Sequence, residues 1–385
     1  MRKTDKHPSA APRTALVLAG GGARGAYQAG VLSGLADLGL LAPGRSGLDT
    51  FVGSSAGAIN STMMAAHAGD LEAGARELQA LWQGVNASDV FRTDVRSVGG
   101  TGIRWAWDLT FGGAVGGGAA QSLLDTAPLR DFLNASISFE HIDEQLRSGA
   151  LHALALSTTD LHTANGVLFL HGQPEIKLWE RRRWEVRRTH ITAEHVMASS
   201  AIPIFFPAVE IGGRYYGDGS VRNTAPLSPA INLGAERILA ISVREPTAPI
   251  HSHEPVSAPS IAQIAGVLLD AVMLDAIEVD IDHSLRVNNS VQSFRVANGT
   301  ENFRKVEVFW IQPTENLTAI AAEFTHEIPA VIRYMMRGLG SEESITELAS
   351  YLLFASGFTT RLVEAGRADV AAASDAFEAF FNQPS

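Results

Sequence analysis

The chain has 385 residues, of which 46% are hydrophobic, so it can bury a sizeable core in one large domain or in a domain with an appendage. Its formal net charge of −11 disfavours nucleic acid as a partner, because contact with phosphates requires a basic face. The absence of cysteine excludes disulfides, thiolate metal sites and a cysteine nucleophile.

Strands and helices alternate in the N-terminal part of the sequence. Residues 14–19 form a short apolar run that predicts a buried strand, and residues 25–38 have the apolar spacing of a helix. A second strand is predicted at 50–52, followed by a helix rich in small residues at 56–68. This order is typical of an α/β protein with a parallel sheet and helices on both faces.

The same alternation continues toward residue 243. Further strands are expected there, with a helix between them, and this arrangement supports a mostly parallel central sheet. The predicted elements are strands at 151–157, 214–216 and 237–243, a helix at 192–199, and a hairpin formed by 166–170 and 177–179.

A change in composition divides the chain. Residues 246–260 combine several prolines with histidine and serine, which predicts a linker or long loop. We therefore expect a disordered tail at 1–12 and an α/β domain that holds the candidate active site at 13–245. After the linker at 246–260, we expect a mainly helical C-terminal region at 261–385.

The C-terminal region is predicted to contain a long amphipathic helix at 261–288, a strand at 306–312 and three further helical stretches. Acidic residues recur along the long helix and are expected to form a solvated face. They are Asp275, Glu278, Asp280 and Asp282.

The sequence indicates a cytoplasmic protein. The first residues lack the apolar core of a secretory signal, and no window has the roughly 18 apolar residues of a membrane-spanning helix. Peripheral contact with a membrane stays open, as does the oligomeric state.

Two segments bear on membrane contact. The glycine-rich loop at 99–120 carries Trp105, Trp107 and Phe111, which suit a water–lipid interface but also suit the protein's own core. The basic run at 181–188 favours a solvated face or the edge of a hairpin, with anionic lipid as the alternative.

A nucleophile motif lies between the second strand and the second helix. Residues 53–57 (GSSAG) match G-x-S-x-G, with Ser55 at the sharp turn. Gly53 and Gly57 leave room where side chains would meet the neighbouring strand and helix. The helix N-terminus beneath Ser55 favours developing negative charge.

A glycine loop follows the first strand and opens the first helix. Residues 20–25 (GGGARG) formally fit the dinucleotide fingerprint, but the second strand ends at the nucleophile motif and not at the acidic residue that this fingerprint requires. We favour an oxyanion hole, because tandem glycines leave main-chain N–H groups accessible. Arg24 is expected to order the loop. The candidate donors are Gly20, Gly21 and Gly22.

Three motifs occur in a characteristic order: GGGARG, GSSAG and, at 216–220, YGDGS. In this order they resemble the patatin-like phospholipase family, in a bacterial-type form with a C-terminal helical extension. The resemblance covers about residues 13–245. Supporting blocks are 122–132 (SLLDTAPLRDF), 157–163 (STTDLHT), 198–207 (ASSAIPIFFP) and 223–226 (NTAP).

The resemblance implies a three-layer α/β fold and a Ser–Asp dyad without histidine, acting on lipid esters. The nucleophile maps to Ser55, the base to Asp218, and the oxyanion glycines to the three named above. The sequence departs from the family at Ser220, where glycine or alanine is usual. Motif-supporting positions are Arg24, Gly25, Gly53, Gly57 and Gly219.

The dyad makes physical demands on Asp218. A solvated aspartate with a pKa near 4 is a weak base for a hydroxyl, so burial must raise its pKa. Asp160, in a Thr-Asp-Leu turn, is expected to be structural.

Neither a metal nor another cofactor is predicted, because the histidines lack ligand spacing. His190 and His195 are expected at the surface or in a helix cap. Three alternatives stay open: a nucleotide-binding protein using the glycine loop, an inactive lipid-binding or scaffold protein, and an α/β-hydrolase with a Ser–His–Asp triad. In the triad, the histidine would be His251, His253, His283 or His326.

Overall fold

The computed structural model describes residues 13–92, 122–244, 275–298, 305–329 and 349–382, together with single residues at 264, 267, 271, 333 and 346. The predicted tail at 1–12, the linker at 246–260 and the glycine-rich loop with its aromatic residues lie outside this part, as do His251 and His253.

A nine-stranded sheet forms the centre of the molecule, in the order β5-β4-β3-β2-β1-β8-β9. Neighbours are parallel from β3 through β2, β1 and β8 to β9, and β6 and β7 pair with each other beside β3. The strands are β1 (Thr14–Leu18), β2 (Leu48–Gly53), β3 (Ala153–Asp160), β4 (Asn165–Gly172), β5 (Trp184–Arg188), β6 (Val209–Ile211), β7 (Arg214–Asp218), β8 (Arg237–Ile241) and β9 (Glu307–Ile311).

Helices cover both faces of the sheet, which confirms the three-layer α/β prediction. They are α1 (Ala26–Asp37), α2 (Ala56–Ala66), α3 (Leu71–Gly84), α4 (Ala87–Val90), α5 (Ala127–Ser136), α6 (Phe139–Ser148), α7 (Ala193–Ser199), α8 (Ser228–Asn232), α9 (Asp275–Asn298), α10 (Leu317–Glu323), α11 (Ser356–Ala372) and α12 (Ser374–Asn382).

The two faces of β1 belong to two separate hydrophobic clusters. Leu16 and Leu18 pack in the larger cluster with α1, α2, α3 and α11, whereas Ala15 and Val17 pack in the smaller one with α8 and α9. Both sets are buried because successive strand residues point to opposite faces of a sheet that is covered on both sides. This explains why the strand reads as an uninterrupted apolar run.

The C-terminal region shares the sheet and the larger cluster. Strand β9 pairs in parallel with β8, and α11 packs directly on α1. A Cβ at Gly30 of α1 would lie 2.2 Å from the carbonyl oxygen of Val363, so the two helices meet backbone to backbone. The hydroxyl of Tyr27 also donates a 2.8 Å hydrogen bond to Asp369 of α11.

Two local predictions are wrong. Residues 177–179 do not form a hairpin with 166–170: β4 pairs antiparallel with β3 and parallel with β5, which lies within the basic run. Asp280 is not on a solvated face, because it is buried and accepts the N–H of Leu227 at 2.8 Å. The carboxylate thus satisfies a main-chain N–H at the start of α8, where the first N–H groups have no partner within the helix.

In the part of the chain that the structure describes, no helix combines the length and the apolar character needed to cross a membrane.

Candidate active site

Strand β3 brings two distant chain segments together. Its first half pairs with β2, placing Gly53 opposite Leu156, and its second half pairs with β7, placing Asp218 opposite Thr158. Strands β2 and β7 therefore both adjoin β3. Their C-terminal residues, Gly53 and Asp218, pair with residues of β3 that are two positions apart. The turn after β2 carries Ser55, so this register sets Ser55 beside Asp218.

Ser55 has a strained backbone at the turn from strand β2 to helix α2. Its dihedral angles are φ 54° and ψ −127°, in a region that non-glycine residues rarely adopt. Helix α2 begins at the next residue, so its free N–H groups lie beneath the serine. Such strain persists only where the surroundings hold it.

Two serines of the 198–207 block hold the turn. The N–H of Ser55 donates to the carbonyl oxygen and to the hydroxyl of Ser199, both at 3.1 Å. The hydroxyl of Ser200 donates to the carbonyl oxygen of Ser55 at 3.0 Å. The sequence placed this block in the motif set but gave no hint of this contact, which joins residues 144 and 145 positions apart.

The flanking glycines are required by close approach. A Cβ at Gly53 would lie 2.2 Å from the carbonyl oxygen of Gly57, and a Cβ at Gly57 would lie 2.2 Å from that of Leu18. Such distances exclude any side chain unless the backbone shifts. The helix α2 thus sits tightly against strand β1, as the motif predicts.

Asp218 is fully buried at the end of β7. Its N–H donates to the carbonyl oxygen of Ala201, and its own carbonyl oxygen accepts the hydroxyl of Thr159. Burial raises the pKa of its carboxyl to about 6, although the N–H of Ser220 and the hydroxyl of Ser55 both favour the ionised form. The aspartate is therefore tuned toward neutral pH.

The carboxylate of Asp218 is only half satisfied. Oδ1 accepts the N–H of Ser220 at 2.8 Å, whereas Oδ2 is buried without a hydrogen-bond partner in the described part of the chain. The Ser55 hydroxyl lies near enough to lower the pKa of the carboxyl, but the pair does not reach normal hydrogen-bond geometry. One carboxylate oxygen is thus left as an acceptor beside the serine.

The Ser220 departure leaves the backbone of the motif intact. A Cβ at Gly219 would lie 2.0 Å from the carbonyl oxygen of Ser157, so this glycine is required. Ser220 serves Asp218 through its main-chain N–H, which any residue supplies. Its hydroxyl is buried without a partner among the described residues.

The glycine loop lies against the nucleophile helix. A Cβ at Gly25 would lie 2.7 Å from that of Ala56, and the side chain of Asn60 in α2 donates to the carbonyl oxygen of Gly25 at 3.0 Å. Gly22, with φ 56°, lines the same pocket as Ser55. The loop and the serine are therefore brought together as the oxyanion interpretation requires.

Ser55 opens into a narrow apolar pocket with a cavity volume of about 30 Å³. Its walls come from α3, α5, the 198–207 block and the C-terminal region. They include Ile59, Trp82, Leu129, Phe132, Ile202, Phe206 and Phe354. A larger pocket of about 600 Å³, lined by Trp179, Arg182 and His283 among others, contains neither Ser55 nor Asp218. Size alone therefore does not locate the chemistry.

No histidine in the described part of the chain hydrogen-bonds to Ser55 or Asp218. His195 caps α7 through Thr192, and burial lowers its pKa to about 4. His283 lines the larger pocket, and His326 is exposed near Glu323. Asp160 accepts the N–H groups of its own turn and pairs with an arginine, as a structural residue would.

Asp143, His171 and His190 bring potential metal ligands together. Oδ1 of Asp143 lies 2.9 Å from Nε2 of His171 and 3.2 Å from Nδ1 of His190. Nδ1 of His171 accepts the N–H of Ile191, so Nε2 carries the ring proton and donates it to Asp143. The three side chains form a hydrogen-bonded cluster, and none of the bonds found for them involves Ser55 or Asp218.

The mostly parallel sheet covered by helices and the serine at a strained strand-to-helix turn define an α/β protein with a candidate nucleophile turn. The model of the patatin-like phospholipase family matches residues 16–231. The chain belongs to this family, whose members are lipid-acting hydrolases.

Several solved structures show weak overall similarity to this chain. VipD from Legionella pneumophila is 13% identical with a TM-score of 0.39, covering 96% of this chain and 68% of VipD. Human GIVD cytosolic phospholipase A2 is 11% identical with a TM-score of 0.36, covering 96% of this chain and 60% of the human chain. At these scores neither carries an argument about the site. The curated proteins contain no match to the sequence.

Proposed function

We propose that the protein is a serine acyl hydrolase that cleaves carboxylic esters of lipids, as a phospholipase A or lipid acyl hydrolase, through Ser55 and Asp218. The observation that carries the proposal is the buried Oδ2 of Asp218, which has no hydrogen-bond partner among the described residues, next to a serine held in a strained turn. A buried acceptor without a partner is costly, and catalysis explains its presence.

In the first half-reaction the Ser55 oxygen attacks the ester carbonyl carbon and its proton passes to Asp218. The carbonyl oxygen becomes negative, facing main-chain N–H groups of Gly20, Gly21 and Gly22 and the N-terminus of α2. When the C–O bond of the ester breaks, Asp218 returns the proton to the leaving alcohol. An acyl group is then bound to Ser55.

In the second half-reaction Asp218 accepts a proton from water, and the resulting hydroxide attacks the acyl carbon. The bond to Ser55 breaks, the proton returns to the serine oxygen, and a carboxylic acid leaves. A carboxylate with a pKa near 6 suits both transfers, because it is basic enough to accept a proton and acidic enough to release it.

The pocket supports an acyl substrate. Its walls are almost entirely aliphatic and aromatic, with Trp82 stacked on Phe354. An apolar slot beside the nucleophile favours a hydrocarbon chain and disfavours a nucleotide, whose phosphates and sugar need polar partners. The nucleotide-binding alternative is therefore less well supported, as is a triad through His283 or His326, which lie away from Ser55 in the described part of the chain.

Labelling with a fluorophosphonate probe tests the assignment of Ser55. Wild type and Ser54→Ala should be labelled on Ser55, whereas Ser55→Ala and Asp218→Asn should not. Turnover of a short-chain nitrophenyl ester should fall more than about a hundredfold in both inactive variants. Ser54, buried in the same turn, is the matched control. Labelled or active Ser55→Ala protein would refute the assignment, and an unlabelled wild type would favour an inactive lipid-binding protein.

Lipidomic analysis tests the substrate class. Wild type incubated with mixed membrane lipids should release free fatty acids together with lysolipids or partial acylglycerols, and Ser55→Ala should not. Release of water-soluble acids alone would contradict a lipid substrate.

A further inference from the structure

We infer that the C-terminal region, which lies outside the family match, completes the catalytic site: Thr318, Ser350 and Tyr351 position the oxyanion loop by holding Arg24. This inference rests on the proposed function, because it assigns a catalytic purpose to the loop that these residues support.

The contacts converge on one buried side chain. Arg24 is 2% exposed and lies in the short 3₁₀ turn at 22–25, directly after the oxyanion glycines. Its Nε donates to the hydroxyl of Ser350, and its Nη2 donates to the hydroxyl of Thr318, each at 2.9 Å. Its guanidinium carbon lies 4.5 Å from the centre of the Tyr351 ring. Two hydrogen bonds and a cation–π contact thus fix the position of the Arg24 guanidinium group.

Tyr351 also meets the loop through its backbone. A Cβ at Gly22 would lie 2.2 Å from the carbonyl oxygen of Tyr351, so this residue presses directly on a proposed oxyanion donor. Three residues further on, Phe354 forms a wall of the pocket beside Ser55. One short C-terminal stretch therefore contacts both the oxyanion loop and the pocket.

The segment is anchored firmly enough to serve as a template. Helix α11 follows it and packs backbone to backbone on α1, the helix that the glycine loop opens. The loop is thus fixed at both sides, by α1 and by residues 350–351. A donor in an oxyanion hole is effective only when it is held in place before the charge develops.

Hydroxyl deletions test the positioning role. Thr318→Val and Ser350→Ala remove the two oxygens that hold Arg24 and leave the rest of the packing. The double variant should lower kcat for a soluble ester about tenfold while KM stays unchanged, because displacing a donor costs less than deleting one. Thr359→Val is the control, since this buried hydroxyl bonds only within its own helix region.

A double-mutant cycle separates positioning from general destabilisation. In an Arg24→Met background, Thr318→Val and Ser350→Ala should have no further effect on kcat, because the group that they hold is gone. Additive losses, or a fall in kcat no larger than that of Thr359→Val, would overturn the inference.

Hydrogen exchange provides a readout that needs no activity. The peptide containing residues 20–25 should exchange faster in the double variant than in wild type or Thr359→Val, and unchanged exchange would overturn the inference. If residues 20–25 of the wild type exchange slowly but the protein is neither labelled at Ser55 nor able to hydrolyse esters, the proposed function is refuted. The inferred contacts are then still supported.

Discussion

At the level of single residues, the burial of Asp218 has opposite effects on catalysis and on stability. Full burial is what raises its pKa to about 6 and makes it a useful base, but burial of an ionised carboxylate without a full set of partners costs stability. Both consequences are measurable, one as activity against pH and the other as stability against pH.

The activity prediction follows from the protonation state that catalysis needs. Only the carboxylate accepts the serine proton, so kcat/KM should rise with pH through an inflection near 6 and level off above it. The measurement is a pH–rate profile on a non-ionising ester. His195→Gln is the control, because burial lowers the pKa of His195 to about 4 and it should leave the inflection in place. If replacing a histidine removes the inflection from the pH–rate profile, the result would point to a Ser–His–Asp triad.

The stability prediction has the opposite sign. The folded protein binds the Asp218 proton more tightly than the unfolded chain, whose carboxyl has a pKa near 3.8. Between these two pKa values unfolding releases a proton, so this residue's contribution to stability falls as pH rises toward 6 and stays low above it. Asp218→Asn should therefore raise the free energy of unfolding at pH 8, by at most about 3 kcal/mol, while removing activity.

Urea denaturation at pH 4 and pH 8 measures this effect. The difference in stability between Asp218→Asn and wild type should be larger at pH 8 than at pH 4. Ser220→Ala provides a comparison in the same buried cluster, because it keeps the N–H that serves Asp218 and removes only a hydroxyl, which also favours the ionised carboxyl. An Asp218→Asn variant that is less stable than wild type at both pH values would contradict burial as the cause of the raised pKa.

At the level of elements, the parallel strands and helices α1, α2 and α7 could be predicted to within a few residues, whereas α3, α5 and α6 were not predicted. Strand β1 is covered on both faces and so appears as a continuous apolar run. Strand β5 was missed because its arginines conceal the alternation that turns Trp184 and Val186 toward the smaller cluster. Pairing partners that depend on long-range register, such as β3 with β7, leave no local signal.

The same limit applies to the candidate site. Motif spacing made Ser55, Asp218 and the glycine loop candidates because each motif is local. The groups that hold them are remote: Ser199 lies 144 positions from Ser55, and Ser350 lies 326 positions from Arg24. A single hydroxyl in a remote helix looks like any other serine in the sequence, so only the folded structure reveals its role.

The glycine loop allows a prediction at the scale of this element. Gly22→Ala adds a methyl group where the carbonyl oxygen of Tyr351 is only 2.2 Å away, at a residue with φ 56°. The loop must move, so we expect kcat to fall about a hundredfold with little change in KM. Gly44→Ala is the matched control, because Gly44 also has positive φ (77°) but no neighbour within 4 Å. A rise in KM at constant kcat would identify the loop as a binding element.

At the level of the whole molecule, we expect charge and exposed apolar groups to determine any contact with a lipid surface. The net charge of −11 opposes adsorption to anionic membranes. Part of the basic run is already engaged: Arg187 pairs with Glu185, and Arg188 donates to main-chain carbonyl oxygens. The remaining arginines are too few to reverse the overall charge, so we expect apolar contact to dominate.

Among the residues that the structure describes, Ile204 is well placed for that contact. It is 61% exposed, with the unusual φ of 73° for a β-branched side chain, and it follows Ile202, which lines the pocket beside Ser55. Strain at an exposed isoleucine next to a site is a feature that packing does not require. Inserting this side chain into lipid would place the mouth of the pocket at the membrane surface.

Vesicle co-sedimentation tests this mode of contact. Ile204→Asn tolerates the positive φ and removes the apolar group, so binding to neutral phosphatidylcholine vesicles should fall about tenfold while turnover of a soluble ester is retained. Val279→Asn is the matched control, because Val279 is 62% exposed but lies on α9 away from Ser55, and it should bind as wild type does. Adding salt should strengthen binding to anionic vesicles by screening the repulsion from the net negative charge. Equal losses in both variants, or binding to anionic vesicles that salt abolishes, would show that the protein meets lipid through another surface.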